Sequence, residues 1–228
     1  MTAAKKISAV KNKKRILIVD DHPMMRQGLA QLIGEEADLT VCGEAERANQ
    51  ALEAIGKLKP DMVLADISLP DKSGLELIKD MQAIQPGLPV LVISMHDESF
   101  YAERVLRAGG RGYIMKQEGG KKLMAAMRQV LSGKVYVSEK MSARILEIFS
   151  GRRPSSDNSA VGKLSDRELE VFQIIGAGKG TREIATQLHL SVKTVEVHRA
   201  HIKEKLALKT APELVRFAVR WVETQQTS

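Results

Sequence analysis

Five polar residues in the first half of this sequence are placed to do chemistry together. Asp20 and Asp21 follow the apolar run Arg15-Ile-Leu-Ile-Val19, Asp66 ends the run that starts at Met62, Ser94 follows Val90–Ile93, and Lys116 follows Gly112–Met115. Converging carboxylates repel one another, and oxygen ligands of this kind suit a hard cation such as Mg²⁺. A lysine adds a fixed positive charge and a hydroxyl adds a donor. Together they describe a cradle for a phosphoryl group in transit, where positioning and charge neutralisation carry most of the catalysis. Any one of them alone would be an ordinary solvated residue at a strand end. All five landing at the ends of their strands is a pattern.

The elements that must position these groups are legible in the hydrophobic spacing. Met62-Val-Leu-Ala65 is apolar without alternation, as in a strand covered on both faces, and Pro70 and Gly74 cannot continue it. Asp66 therefore belongs on the C-terminal rim, where open α/β sheets bind ligands and where a carboxylate can ligate a metal, act as a base or be a nucleophile. Strands are expected at 15–19, 39–42, 62–66, 90–93 and 112–115. Helices are expected at 23–34, 49–58, 74–84, 98–108 and 121–131, with Pro23 in a first turn and Pro60 past an end. This alternation predicts an α/β fold with a doubly wound five-stranded parallel sheet.

Composition bounds the rest. The 228 residues are enough for two ordinary domains, and 43% hydrophobic residues can build real cores. The single cysteine, Cys42, excludes an internal disulfide and fits a reducing compartment, so a cytoplasmic protein is expected. No apolar run approaches the roughly 20 residues that cross a bilayer. Met1 to Lys14 has lysines at 5, 6, 11, 13 and 14 but no apolar segment, which reads as a solvated basic tail over 1–13 rather than a signal peptide. Residues 15–150 hold 17 Lys+Arg against 19 Asp+Glu, whereas residues 151–228 hold 13 against 9. The basic back half points to nucleic acid.

Asp20-Asp21, Asp66 with Leu69-Pro70 and Gly74, Ser94 and Lys116 resemble the receiver domain of bacterial two-component response regulators, over about 14–133. The resemblance implies a flavodoxin-like fold and gives each residue a role. Asp66 would accept a phosphoryl group from a sensor histidine kinase. Asp21, Asp66 and the Ser68 main-chain carbonyl would bind Mg²⁺ directly, with Asp20 acting through water. Ser94 and Lys116 would hold phosphoryl oxygens, and Tyr113 would be the switch aromatic. Met95 departs from the small residue many receivers carry, and would narrow access to the phosphoryl group.

Residues 134–162 read as a helix from Ser138 to Phe149 followed by the polar, Pro- and Gly-containing stretch 150–160, a flexible linker. The back half, 163–228, reads as a small all-α domain of four helices. Ser165-Asp-Arg-Glu168 and Thr210-Ala-Pro-Glu213 are capping boxes, Ser191 is a further cap, and Val195, Ile202 and Leu206 share one face. Two short helices around His189-Leu-Ser191 fit a helix-turn-helix. Leu164-Ser-x-Arg-Glu168, Glu183-Ile-Ala185 and Ser191-x-Lys-Thr-Val195-x-x-His198 resemble the LuxR-type DNA-binding domain, and the whole chain resembles a response regulator of the NarL/FixJ type.

That resemblance implies a transcription factor on double-stranded promoter DNA, acting on RNA polymerase indirectly, and no turnover enzyme. By family position Glu196, Val197 and Ala200 would enter the major groove, and Lys193, Thr194, Arg199 and Lys203 would hold phosphates. The last helix carries two apolar stripes, and its face around Leu214, Val215, Ala218 and Val222 is the expected contact of a homodimer formed on phosphorylation; cover by the linker or receiver is the alternative. A phosphohydrolase is the rival enzyme reading, but it would carry Asp-x-Asp where Asp66-Ile-Ser68 stands. An adaptor whose helical domain binds protein is the other rival. Gly176-Ala-Gly-Lys-Gly-Thr181 is a false P-loop, since Gln173 occupies the position of its first glycine. The five histidines show no cysteine or carboxylate spacing typical of zinc, and His198 and His201 at i, i+3 read as a helix surface.

Overall fold

The computed structural model describes residues 13–149 and 160–226, so the expected basic tail and most of the expected linker lie outside the described residues. The first domain runs β1 (Lys14–Val19), α1 (Pro23–Gly34), β2 (Leu39–Ala45), α2 (Ala48–Leu58), β3 (Met62–Asp66), α3 (Gly74–Ile84), β4 (Val90–Ser94), α4 (Glu98–Arg107), β5 (Gly112–Met115), α5 (Gly120–Leu131). The strands form one parallel sheet in the order β2-β1-β3-β4-β5. Strand order reverses beside β1 and β3, and the crevice outside their C-terminal ends is the expected ligand position in such a fold.

The continuous apolar runs have a direct structural cause. Leu17, Val19, Val63, Ala65, Val90 and Val92 face one side of the sheet and join a core with Ile55, Ile78 and Val105 of α2, α3 and α4. Ile16, Ile18, Met62, Leu64, Leu91 and Ile93 face the other and pack with Leu29, Ile33, Met127 and Val130 of α1 and α5. Both faces are dry, so neither needs a polar alternate. β2 is longer than its sequence suggests. Its register slips opposite Ile16/Leu17, and pairing resumes at Gly43, Glu44 and Ala45. A β-carbon at Gly43 would crowd a Leu58 methyl, so the glycine lets Leu58 pack onto the strand, and it disguises the strand in the sequence.

The helix α6 (Glu139–Phe149) follows, and residues 160–226 add α7 (Asp166–Gly176), α8 (Thr181–Gln187), α9 (Val192–Lys205) and α10 (Ala211–Gln226). Ser165 and Glu168 form the expected reciprocal cap of α7, and Ser191 Oγ accepts from the Thr194 N–H at 3.0 Å to start α9. At α10, Thr210 Oγ1 accepts from the Glu213 N–H, but the Glu213 carboxylate takes the Lys209 N–H instead, one residue beyond the box the sequence suggests. Leu169, Phe172, Ile175, Ile184, Val195, Ile202, Leu214, Ala218 and Trp221 make up the buried interior. Gly176 lets α10 approach α7: a β-carbon there would sit 2.5 Å from a Val222 methyl and 2.6 Å from the Ala218 carbonyl oxygen.

The two domains pack together through α4 and α7. The Tyr101 hydroxyl donates to Gln173 Oε1 at 3.0 Å, and Arg104 donates to the Leu164 carbonyl at 2.8 Å and to Asp166 at 3.1 Å. Phe100 of α4 meets Trp221 of α10 with ring centroids 4.4 Å apart. The first domain thus touches α10 at Trp221, on the stripe that also faces the small domain's interior, while Val215 stays exposed.

Candidate functional site

The three carboxylates and the lysine converge on the C-terminal rim. Lys116 Nζ donates to Asp20 Oδ2 and to Asp66 Oδ2, both at 2.7 Å. Asp20, Asp66 and Ser94 are all buried, so the charges meet in a place of low polarity. Burial pushes the Asp66 carboxyl above its usual range, with the Lys116 charge opposing the rise. Burial by itself would lower the Lys116 ammonium; the Asp66 and Asp20 carboxylates outweigh it and raise its pKa. Asp66 Oδ1 accepts the Ser68 N–H at 3.2 Å, and Gly74 donates to the Ile67 carbonyl at 2.7 Å, closing the loop that presents Asp66. A side chain at Gly74 would strike the Asp66 carbonyl, which is why the loop needs glycine.

Ser94 is fully buried, and its Oγ accepts the His96 N–H at 3.2 Å. Tyr113 is turned inward, its hydroxyl donating to the His96 carbonyl at 2.8 Å, and burial raises its pKa well above that of a free phenol. Met95 is 60% exposed and lines the mouth of the pocket, not its floor.

Sequence spacing missed several residues here. His22 is exposed but stands beside the carboxylates: its Nδ1 lies 2.7 Å from Asp21 and 3.2 Å from Asp20, and Asp20, Asp21, His22 and Asp66 form one group able to hold a metal ion. Adjacency to the aspartate pair was the available signal. His96 Nε2 is 3.1 Å from Ser68 Oγ, and burial depresses its pKa to about 4. Arg26 anchors β1 by donating to the Asp20 carbonyl at 2.7 Å and to Glu46 at 2.6 Å.

The interdomain seam carries a buried charge. Glu170 of α7 is fully buried, pairs with Arg167 at 2.6 Å and accepts from Ser73 Oγ of the first domain at 3.4 Å. Burial lifts its pKa to about 7, with Arg167 pulling the other way and Asp166 adding to the rise. An acid whose pKa is raised in the packed state favours that state while protonated in both. The seam is therefore tightest below the ordinary carboxylate range and loosens as pH rises through about 7. Small-angle scattering should record an increase in radius between pH 5.5 and 8 in the native chain. E170Q should flatten that change.

On α9, Val195 and Ile202 are buried and Leu206 is half-buried, as the spacing suggests. The opposite side leaves Lys193, Glu196, Val197 and Ala200 exposed, with Thr194, Arg199 and Lys203 half-buried. The α10 residues divide differently. Leu214 and Ala218 are fully buried inside their own domain and so cannot form an outer contact face; Val215 is exposed and Val222 half-buried. Ala218 lies one turn from both Leu214 and Trp221, which draws it into the interior.

The comparisons with known proteins fit this geometry. Residues 16–128 match the family model of the response regulator receiver domain, and residues 162–218 match that of bacterial regulatory proteins of the luxR family. The chain belongs to the response regulators that join a receiver to a LuxR-type DNA-binding domain. It is similar to the oxygen regulatory protein NreC of Staphylococcus haemolyticus (strain JCSC1435), with 36% identity over 210 residues, 90% of this chain and 97% of that one. It also resembles RcsB from Salmonella enterica serovar Typhimurium, solved bound to promoter P1flhDC in the presence of the phosphomimetic BeF3⁻. That match has a TM-score of 0.61 and 26% identity, and covers 91% of this chain and 98% of that chain. A structure of two RcsB dimers on two parallel DNAs matches with a TM-score of 0.55 at 28% identity, covering 90% of this chain and 98% of that chain. The protein is a transcription regulator and not a turnover enzyme. No helix among the described residues is long and apolar enough to cross a membrane.

Proposed function

We propose that Asp66 accepts a phosphoryl group from a phosphohistidine of a sensor kinase, and that this switches the second domain to dimerise on promoter DNA in the cytoplasm. The observation that carries the reading is Lys116 Nζ at 2.7 Å from both Asp20 and Asp66. One cation thus marks the position where phosphoryl oxygens would lie, with the Ser94 hydroxyl close by on the neighbouring strand end. Tyr113 would report occupancy of that position through its bond to the strand-end backbone.

The donor set fits Mg²⁺. Asp21 Oδ1 is buried and makes no hydrogen bond among the described residues, although His22 Nδ1 lies 2.7 Å away. Asp21 and Asp66 with the Ser68 main-chain carbonyl would hold the ion, and Asp20 would act through water. Bound there, Mg²⁺ would neutralise charge on the transferring phosphoryl group. The chain's own groups do the rest: Asp66 supplies the nucleophilic oxygen and Lys116 orients it.

For DNA we assign Glu196, Val197 and Ala200 to base edges, with Val197 and Ala200 meeting thymine methyls and Glu196 accepting from a cytosine amino group. Lys193, Thr194, Arg199 and Lys203 hold phosphates. The exposure of Lys193, Glu196, Val197 and Ala200 supports that division. The dimer contact falls on the Val215 and Val222 side of α10, over the buried support of Leu214 and Ala218, and RNA polymerase is reached through the DNA-bound dimer. Mobility shifts on promoter fragments test this. K193A and K203A should each weaken binding to all sequences alike and reduce the salt slope by about 1. V197A should change the selected site, at roughly 1–3 kcal/mol per mismatched pair. If K193A altered the selected sequence and V197A did not, the two faces would be misassigned.

A further inference from the structure

The pocket over Asp66 is built by both domains. A cavity of about 270 Å³ is lined by Asp66, Lys116 and His96 from the receiver and by Arg167, Leu188 and His189 from the second domain. The turn between α8 and α9 forms its outer side. His189 takes the left-handed backbone conformation, φ 52°, and its Nε2 lies 3.9 Å from Asp21 Oδ2. Arg167 donates to the Leu188 carbonyl at 2.8 Å and pairs with Glu170, so the turn is tied to α7. α7 is in turn held to the receiver by the Ser73, Tyr101 and Arg104 bonds.

We propose that this turn is a wall of the phosphoacceptor pocket and selects phosphoryl donors by size, a reading that rests on Asp66 as the acceptor. A free small donor fits a cavity of about 270 Å³, whereas a donor carried on a protein must also clear Leu188 and His189, which line it from the second domain. A phosphohistidine carried on a partner helix would have to approach Asp66 past this turn, whose His189 ring stands 3.9 Å from Asp21. Small donors enter the closed form. Bulky donors require the second domain to move aside.

The test compares phosphoramidate with a phosphohistidine carried on a phosphotransfer domain. With either, an Asp66 carboxylate oxygen forms the new O–P bond and the P–N bond breaks. The nitrogen leaves as ammonia or as the histidine imidazole with the proton it carried. Initial rates are read by intact mass with Mg²⁺ for the native chain, H189G and R104E. Glycine keeps the positive φ at 189 while removing the ring. R104E sets a carboxylate against Asp166 and loosens the wall from its far end. The native chain should prefer phosphoramidate, and that preference should fall about tenfold in both variants, the low end of what one excluded group contributes to specificity. A preference unchanged in either variant overturns the proposal while leaving Asp66 as acceptor. No label on the native chain from either donor overturns both.

Discussion

D66N should take up no phosphoryl mass from acetyl phosphate or phosphoramidate in the presence of Mg²⁺, under conditions that label the native chain. An amide nitrogen or oxygen is a poor nucleophile, and no other carboxylate can take over. Asp20 is already engaged by Lys116 and by the His22 N–H at 2.8 Å, and Asp21 lies on the neighbouring strand end. The fold should survive, because burial already disfavours the charge on Asp66 and the amide keeps its shape. Thermal unfolding should therefore move by no more than about 1 kcal/mol. Label on D66N, mapped to Asp20 or Asp21, would relocate the acceptor.

F172A should cost about 3–5 kcal/mol, the usual range for removing a buried aromatic ring. Phe172 is fully buried and packs between Phe217 and Trp221, with ring centroids at 5.9 and 5.4 Å. Against a total stability of about 5–15 kcal/mol this is a large share for so small a domain. Binding to every DNA fragment should vanish at low salt as well as high. Labelling of Asp66 should persist, since α1 and α5 pack one face of the sheet in a core confined to the receiver, even though the core on the other face continues into the second domain. Hydrogen exchange would resolve the outcome by region: protection lost over 160–226 and kept over β1, β3 and β4. Loss of protection in both regions would mean that the domains fold as one unit.

The rim was readable because four of the five strands are apolar runs that end on, or run into, a charge or hydroxyl, and run length alone located Asp66, Ser94 and Lys116. The end of β2 was not readable, because Gly43 and Glu44 break the apolar run although both pair in the sheet. The helical caps were legible for the same local reason that makes them work: a side chain satisfies an N–H three residues on. Contacts across the seam follow no such rule. Ser73 and Glu170 are 97 residues apart, and Tyr101 and Gln173 are 72 apart, so no periodicity relates them. On α10 the two stripes were visible, but which would face inward depended on Gly176, whose missing side chain admits Ala218 and Val222.

The chain's single tryptophan lies where the two domains meet. Trp221 is nearly buried, and its indole N–H has no hydrogen-bond acceptor among the described residues. An indole in such dry surroundings emits at short wavelength, and contact with water moves its emission to the red. Phe100 supplies the receiver's share of that shelter. The molecule thus carries its own fluorophore at the contact between its domains, free of any competing tryptophan signal. Stopped-flow emission after adding a phosphoryl donor would time the parting of the domains separately from the labelling of Asp66. A lag between the two would order the events of the switch.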